Sequence, residues 1–170
     1  MEYLLALPPA VTLSLVITLD GQLCGPDFSS RSISGAEDLE WLRRLRSASD
    51  AVVVGAATAQ REQYQAIKTR PEYRGMRHGM SEHPELVLLT SKDQFDEIRS
   101  ALGPRILLEA GVRLHTALAS SIDRIWLSHS PTLVGNVEAN FQFPMHDFTL
   151  VDRFVGSEFV FSRFDRVTQR

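Results

Sequence analysis

The sequence predicts an α/β fold built on a mostly parallel sheet, with antiparallel strands at one edge. Three observations lead there. Short apolar or alternating runs are separated by segments of helical periodicity, so strands and helices take turns along the chain. Residues 51–54 (AVVV) are apolar without a break, the pattern of a strand covered on both faces. Residues 148–155 and 158–164 flank Gly156-Ser157, which reads as a closing β-hairpin.

Each element has its own signal. Residues 11–18 (VTLSLVIT) alternate Val11, Leu13, Leu15 and Ile17 and read as a strand, which Asp20-Gly21 turns. Residues 22–33 read as loop, with Gly25-Pro26-Asp27 as its breaker. Ser34-Gly-Ala-Glu37 fits a capping box, and Leu39, Leu42, Leu45 and Ser49 follow at helical spacing. After the strand at 51–54 come a short helix and a polar loop at roughly 71–84. Residues 85–90 (ELVLLT) form the next strand. Ser91 caps a helix whose Phe95, Ile98 and Leu102 share a face, and Gly103-Pro104 stops it. Residues 105–109 (RILLE) are a strand, 114–121 a helix after the Ala110-Gly111 turn, and 124–128 (RIWLS) a strand entering Pro131–Gly135. Trp41 and Trp126 read as packing residues.

Composition narrows the function. The chain has 170 residues, one domain's worth spanning 1–170, and is 44% hydrophobic and 23% charged. Its 18 Lys+Arg against 21 Asp+Glu give a net charge of −3, which argues against a general nucleic-acid binder. No apolar run approaches the ~20 residues of a membrane span, and the N-terminal residues lack a signal peptide's basic region, so a soluble cytoplasmic protein is expected. Cys24 is the single cysteine, and the five histidines form no HxH, HExxH or Cys/His cluster. No metal site and no cysteine or serine nucleophile is expected.

Ligands of such sheets bind outside the carboxyl ends of the strands. The polar residues expected there are Asp20, Thr58 and Glu109. Glu109 is the most suggestive, because it precedes a small-residue turn and a helix start. Residues 61–84 hold five Lys/Arg (Arg61, Lys68, Arg70, Arg74, Arg77) against three Glu. They read either as a solvated loop or as a loop gripping an anion.

The order of these pieces is informative. Thr18-Leu-Asp-Gly21, then Ile33-Ser-Gly35, then Leu45-Arg-Ser-Ala-Ser-Asp50-Ala-Val-Val-Val-Gly55-Ala-Ala-Thr58 resemble the reductase domain of bifunctional riboflavin-biosynthesis enzymes, the RibD C-terminal family. Leu108-Glu109-Ala110-Gly111 is similar to that family's Glu-Gly-Gly turn. Residues 122–127 (IDRIWL) followed by Pro131-Thr-Leu-Val-Gly135 are similar to its later strand and Pro-x-x-x-Gly segment. The resemblance runs from about residue 11 to 165. Its most specific part is Arg-x-x-x-Asp-Ala-Val-x-Val-Gly-x-x-Thr.

The resemblance implies a dihydrofolate reductase-like three-layer fold. It implies an NADPH-dependent reductase turning the ribosyl group of a 5-amino-6-(5-phosphoribosylamino)uracil-type pyrimidine into ribityl, and a homodimer. By position, Ser30, Arg46 and Glu109 match the family's substrate contacts, and Arg70 is nearest to its later arginine. Val16, Ser32, Thr58 and Glu62, with Ala110, Gly111, Val112, Arg113 and Leu114 of the turn, match its NADPH contacts. In that fold the glycine pair has an unusual backbone close to the pyrophosphate, where a Cβ adds crowding. No proton donor is named. The chain departs from the family at Ser14, where a lysine is common, at Glu62 in place of an aspartate, at Arg70, one residue beyond the usual spacing, and at Ala110 in place of the first glycine. Two alternatives keep the fold: a dihydrofolate-type or other small-molecule reductase, and a non-catalytic binder of a nucleotide or partner.

Overall fold

The computed structural model describes residues 2–135 and 143–167. Its seven strands form one sheet. They are β1 (Val11–Ile17), β2 (Ala51–Gly55), β3 (Glu85–Leu89), β4 (Ile106–Glu109), β5 (Arg124–His129), β6 (Phe148–Val155) and β7 (Val160–Arg166). The order across the sheet is β3-β2-β4-β1-β5-β7-β6. Strands β1–β5 are parallel to one another, and β7 and β6 add antiparallel at the β5 edge. The fold class read from the sequence is the one observed.

The period-two geometry of β2 shows why its apolar run must be central. Ala51 and Val53 enter one core and Val52 and Val54 the other, and all four are fully buried. On the first face Leu13, Leu108 and Ile125 pack with Phe95 of α4 (Lys92–Ile98), and with Leu118 just after α5 (Val112–Ala117). On the second, Trp126 and Phe161 pack with Trp41 and Leu45 of α2 (Ala36–Ser47) and with Leu4 of α1 (Glu2–Ala6). Ala59 of α3 (Ala56–Arg61) joins this second core. Helices on both faces of a sheet make three layers.

Ser91 caps α4 as expected, its side chain accepting from the Gln94 amide. The capping box expected at Ser34 does not form. Gly35 is the N-cap of α2 and makes no side-chain cap bond, while Ser34 Oγ donates to Asp38 Oδ2. Glu37 instead reaches across to the β6–β7 turn, accepting from the amides of Ser157 at 2.7 Å, Glu158 at 2.9 Å and Phe159 at 2.9 Å. Three donors across the fold outcompete the single amide a capping box would satisfy. Gly156 permits this approach, since a Cβ there would lie 2.1 Å from Glu37 Oε1.

The amides of Glu158 and Phe159 hold the Glu37 carboxyl below the usual range, which makes the clasp sensitive to acid. Its contribution is present above the ordinary carboxylate pKa and is lost as pH falls through the depressed folded value. Glu37→Gln should therefore cost about 1 kcal/mol at neutral pH and flatten the acid limb of stability. Urea unfolding of both proteins between neutral and acid pH checks this, and parallel curves would show that the clasp does not titrate.

Two further expectations are corrected. Residues 71–84 are not simply a solvated loop. Pro71–Arg77 forms a 3-10 helix that buries Tyr73, Met76 and Arg77. Arg77 donates to the carbonyls of Ser47 at 3.1 Å, Ser49 at 2.7 Å and Ser81 at 2.7 Å, tying this segment to the end of α2. The helix expected over 114–121 starts two residues earlier as α5 and ends as a 3-10 turn at Ala119–Ser121.

Candidate functional site

The carboxyl end of the sheet splits between β1 and β4. These strands pair only from Val11↔Ile106 to Leu13↔Leu108. Beyond that, β1 stays with β5 up to Ile17↔His129, and β4 stays with β2 up to Val54↔Glu109. A cleft of about 530 Å³ opens there, lined by Ser14, Leu15 and Val16 on the β1 side and by Glu109, Ala110, Gly111 and Val112 on the β4 side. Its volume falls within the range of small-molecule sites. Third and fourth walls come from α2 and from residues 58–73.

Helix α2 contributes through its four-residue spacing. Asp38, Leu42 and Arg46 recur at that interval, so they share one face, and all three line the cleft. At the deep end, Arg46 and Glu109 form a two-pronged pair. Arg46 Nε donates to Glu109 Oε1 at 2.7 Å and Nη2 to Oε2 at 2.6 Å. Tyr64 completes the group: its phenol donates to Glu109 Oε2 and accepts from Arg46 Nη2 at 3.1 Å. Gln63, at φ 52°, holds the left-handed turn that swings Tyr64 inward. Burial pushes the Tyr64 phenol up, and the Glu109 charge adds to this, so the hydroxyl keeps its proton. Burial alone would lower Arg46, but the bonds and charge of Glu109 more than offset it, and the guanidinium stays charged.

The resemblance-matched residues divide by what they touch. Ser30, Arg46, Arg70 and Glu109 all line the cleft, as do Val16, Thr58, Glu62, Ala110, Gly111 and Val112. Ser32, Arg113 and Leu114 do not. Ser32 donates to Asp27 at 2.7 Å, and Leu114 packs under Gly55. Glu62 is committed to the loop opposite, accepting from Ser29 Oγ at 2.9 Å and pairing with Arg31 at 2.8 Å. Arg70 is half exposed, with only long ion pairs to Glu72 at 3.6 Å and Glu40 at 3.9 Å.

The 110–111 turn has ordinary backbone: all peptide bonds among the described residues are trans, and Gly111 is extended at φ −66°, ψ 168°. This turn, with Ala110 in place of the first glycine, does not show the family's unusual backbone. A Cβ on Gly111 would stand 3.2 Å from Thr58 Oγ1, so glycine keeps the gap between the β2 and β4 ends open. Ala110 is buried, its carbonyl 3.2 Å from Nδ1 of His115, a fully buried ring that burial keeps neutral. Asp20 lies outside the cleft and clamps the amides of Val134 at 3.2 Å and Gly135 at 2.7 Å.

Two cleft residues had no role in the sequence reading. Tyr64 carried no signal, because its position depends on the left-handed Gln63. Asp38 did carry one, in its four-residue spacing to Leu42 and Arg46. Cleft charge is biased: Arg31, Arg43, Arg46, Arg61, Lys68 and Arg70 line it against three carboxylates, Asp38, Glu62 and Glu109. In a chain of net charge −3, that excess gives the cleft a local positive bias. Cys24 also lines the cleft, but burial raises its thiol and so disfavours the reactive thiolate. Among the described residues no His/Cys/Asp/Glu group could hold a metal ion, and no helix is long and apolar enough to cross a membrane.

Solved structures share this architecture. A pyrimidine reductase-like protein from Corynebacterium diphtheriae is 18% identical, with 96% of each chain covered and a TM-score of 0.83. A diaminohydroxyphosphoribosylaminopyrimidine deaminase/5-amino-6-(5-phosphoribosylamino)uracil reductase from Thermotoga maritima is 14% identical with a TM-score of 0.70. The alignment covers 94% of this chain but only 57% of that longer one. Dihydrofolate reductase from Enterococcus faecalis, solved as a complex with NADP(H) and RAB-propyl, is 9% identical, with 94% and 97% covered and a TM-score of 0.70. At these identities the likeness establishes the fold, which is dihydrofolate reductase-like. No curated protein gives a significant sequence match. The RibD C-terminal domain model, however, matches residues 9–97, more than half of the sequence and the stretch that supplies Val16, Ser30, Asp38, Arg46, Thr58 and Tyr64 to the cleft, and the chain belongs to that family.

Proposed function

We propose that this chain is an NADPH-dependent reductase of a phosphoribosylamino-pyrimidine, converting its ribosyl group to ribityl. The observation that carries this reading is the cleft at the β1–β4 split, with its excess of arginine and lysine, in a member of a reductase family. The residues present fit the cofactor. Beyond Leu13 the β1 edge is unpaired on the β4 side, so main-chain groups at 14–16 are available to a carboxamide. Gly111 leaves room that a side chain would fill. When bound, NADPH supplies the hydride.

The chain's own residues orient the second ligand. Lys68 makes no ion pair among the described residues, and Arg70 makes only long ones, so these two are available to a phosphate. Ser30 lies on the same cleft wall as Glu62 and offers a hydroxyl to the sugar. Arg46 is committed to Glu109 through Nε and Nη2, which leaves its Nη1 for ligand. Glu109 has three of its acceptor positions filled by Arg46 and Tyr64 and keeps capacity for one more donor.

Fluorescence titration with NADPH tests the reading, using the emission of Trp41 and Trp126. Saturable binding below about 1 mM is expected. Consumption of NADPH should then require a phosphoribosylamino-pyrimidine and fail with dihydrofolate. The absence of saturable binding would remove the reductase assignment.

A further inference from the structure

At its deep end the cleft brings together an acid, a carboxylate and a cation. The phenol of Tyr64 lines the cleft, donates to Glu109 Oε2 and accepts from Arg46 Nη2 at 3.1 Å. Glu109 is held there as an anion by two bonds from Arg46, and a guanidinium is too weakly acidic to release a proton. Of these three groups, Tyr64 alone carries a transferable proton. Burial and the Glu109 charge keep that proton on the phenol in the resting protein. The arrangement also provides for its departure. Arg46 already bonds the phenol oxygen, and its guanidinium carbon lies 5.3 Å from the centre of the Tyr64 ring. A phenolate formed here would have a cation against both its oxygen and its ring. Arg46 and Glu109 hold each other through two bonds of their own, so their alignment does not require the phenol.

We infer that Tyr64 is the acid that opens the sugar, protonating the ring oxygen O4′ of a bound ribosylamine. The inference rests on the reductase reading above and adds to it a step that needs no cofactor. The C1′–O4′ bond breaks, and its electron pair stays on O4′, which takes the phenol proton. The nitrogen lone pair forms the C1′=N bond, so the products are an open-chain iminium cation and a tyrosinate, which Arg46 faces. Glu109 prepares the step. Its remaining capacity accepts an N–H or hydroxyl of the substrate, which competes with the phenol for the carboxylate and lets the phenol turn its proton to O4′. The open iminium, unlike the closed ring, presents a C=N bond for reduction. Closure by the reverse path returns the proton to Tyr64 and forms either anomer. The protein should therefore interconvert the α and β anomers of a ribosylamine in the absence of NADPH.

NMR saturation transfer between the two C1′–H signals of 5-amino-6-(5-phosphoribosylamino)uracil, with cofactor-free protein, tests this. Wild-type protein should exchange the anomers faster than buffer alone, and Tyr64→Phe should lose ~100-fold of that added rate. Affinity for the ribityl product, which is already open and calls for no acid, should hold in the variant. In the NADPH-loaded enzyme the same variant should lower kcat and leave KM near its wild-type value. Tyr64→Leu removes the same proton and serves as the second variant if Tyr64→Phe does not fold. No acceleration by wild-type protein, or acceleration that survives in a folded variant, would overturn the inference. So would a variant that loses product affinity in proportion to its rate, since Tyr64 would then only position the ligand. Failure of NADPH to bind would instead count against the reductase reading alone, because the exchange needs no cofactor.

Discussion

Replacing Arg46 by alanine should destabilise the fold by about 3 kcal/mol, because it strands the Glu109 carboxylate. An exposed ion pair contributes only about 0–1 kcal/mol, so the size of the effect depends on burial. The Glu109 side chain is 6% exposed and that of Arg46 23%, which places the pair among buried ones, toward the lower end of their cost. The pair's net contribution is a separate matter, since desolvating both ions offsets much of their attraction. Arg46→Met combined with Glu109→Leu should thus recover most of the lost stability, with Tyr64 left to solvent on the cleft side. Urea unfolding of the single and double variants measures both. A loss below about 1 kcal/mol for Arg46→Ala would mean that water reaches Glu109 freely. Ligand use separates from stability in the same pair of proteins: the stable double variant should still lose ~10–150-fold in apparent substrate affinity, one charge-assisted bond's worth.

The parts of this molecule legible in the sequence are those set by local pattern. The run at 51–54 had to be central because all four side chains are apolar, and its two faces do enter two separate cores. Ser91 caps α4 because its serine and the Gln94 amide lie three residues apart, a purely local relation. Ser34 and Glu37 offered the same local pattern and failed, because the hairpin turn at 157–159 competes for Glu37 from 120 residues away. The site divides in the same way. Arg46 and Glu109 could be placed by motif, but that they bond to each other at 63 residues' separation could not. Tyr64 depends on one left-handed residue in an otherwise unmarked loop. Arg77 read as one more loop cation, and only the packed structure shows it tying down the end of α2.

Trp126→Ala should cost about 3–5 kcal/mol, the range for removing a large buried aromatic side chain. Trp126 is 1% exposed and lies on β5 at the centre of an aromatic cluster. Trp41 meets it edge-on at 4.9 Å between ring centroids, and Phe154 meets it at 6.1 Å. Phe154 stacks on Phe161 at 4.8 Å, so the cavity would open among side chains that already hold one another and collapse little. Trp126→Phe should cost less, since it keeps an aromatic face for Trp41. The consequence reaches the cleft through α2. Trp41 sits on the helix that carries Asp38, Leu42 and Arg46, and with Leu45 its ring packs that helix against the sheet. A cavity behind Trp41 lets α2 shift, and a displacement on the order of 1 Å at reacting groups costs ~100-fold. Trp126→Ala should therefore weaken pyrimidine binding in protein that remains folded, while the NADPH contacts proposed at the β1 and β4 ends are touched less. Urea unfolding measures the first effect and calorimetry the second. A stability loss under about 1.5 kcal/mol would show that the cluster repacks, and unchanged pyrimidine affinity would show that α2 is held in place without it.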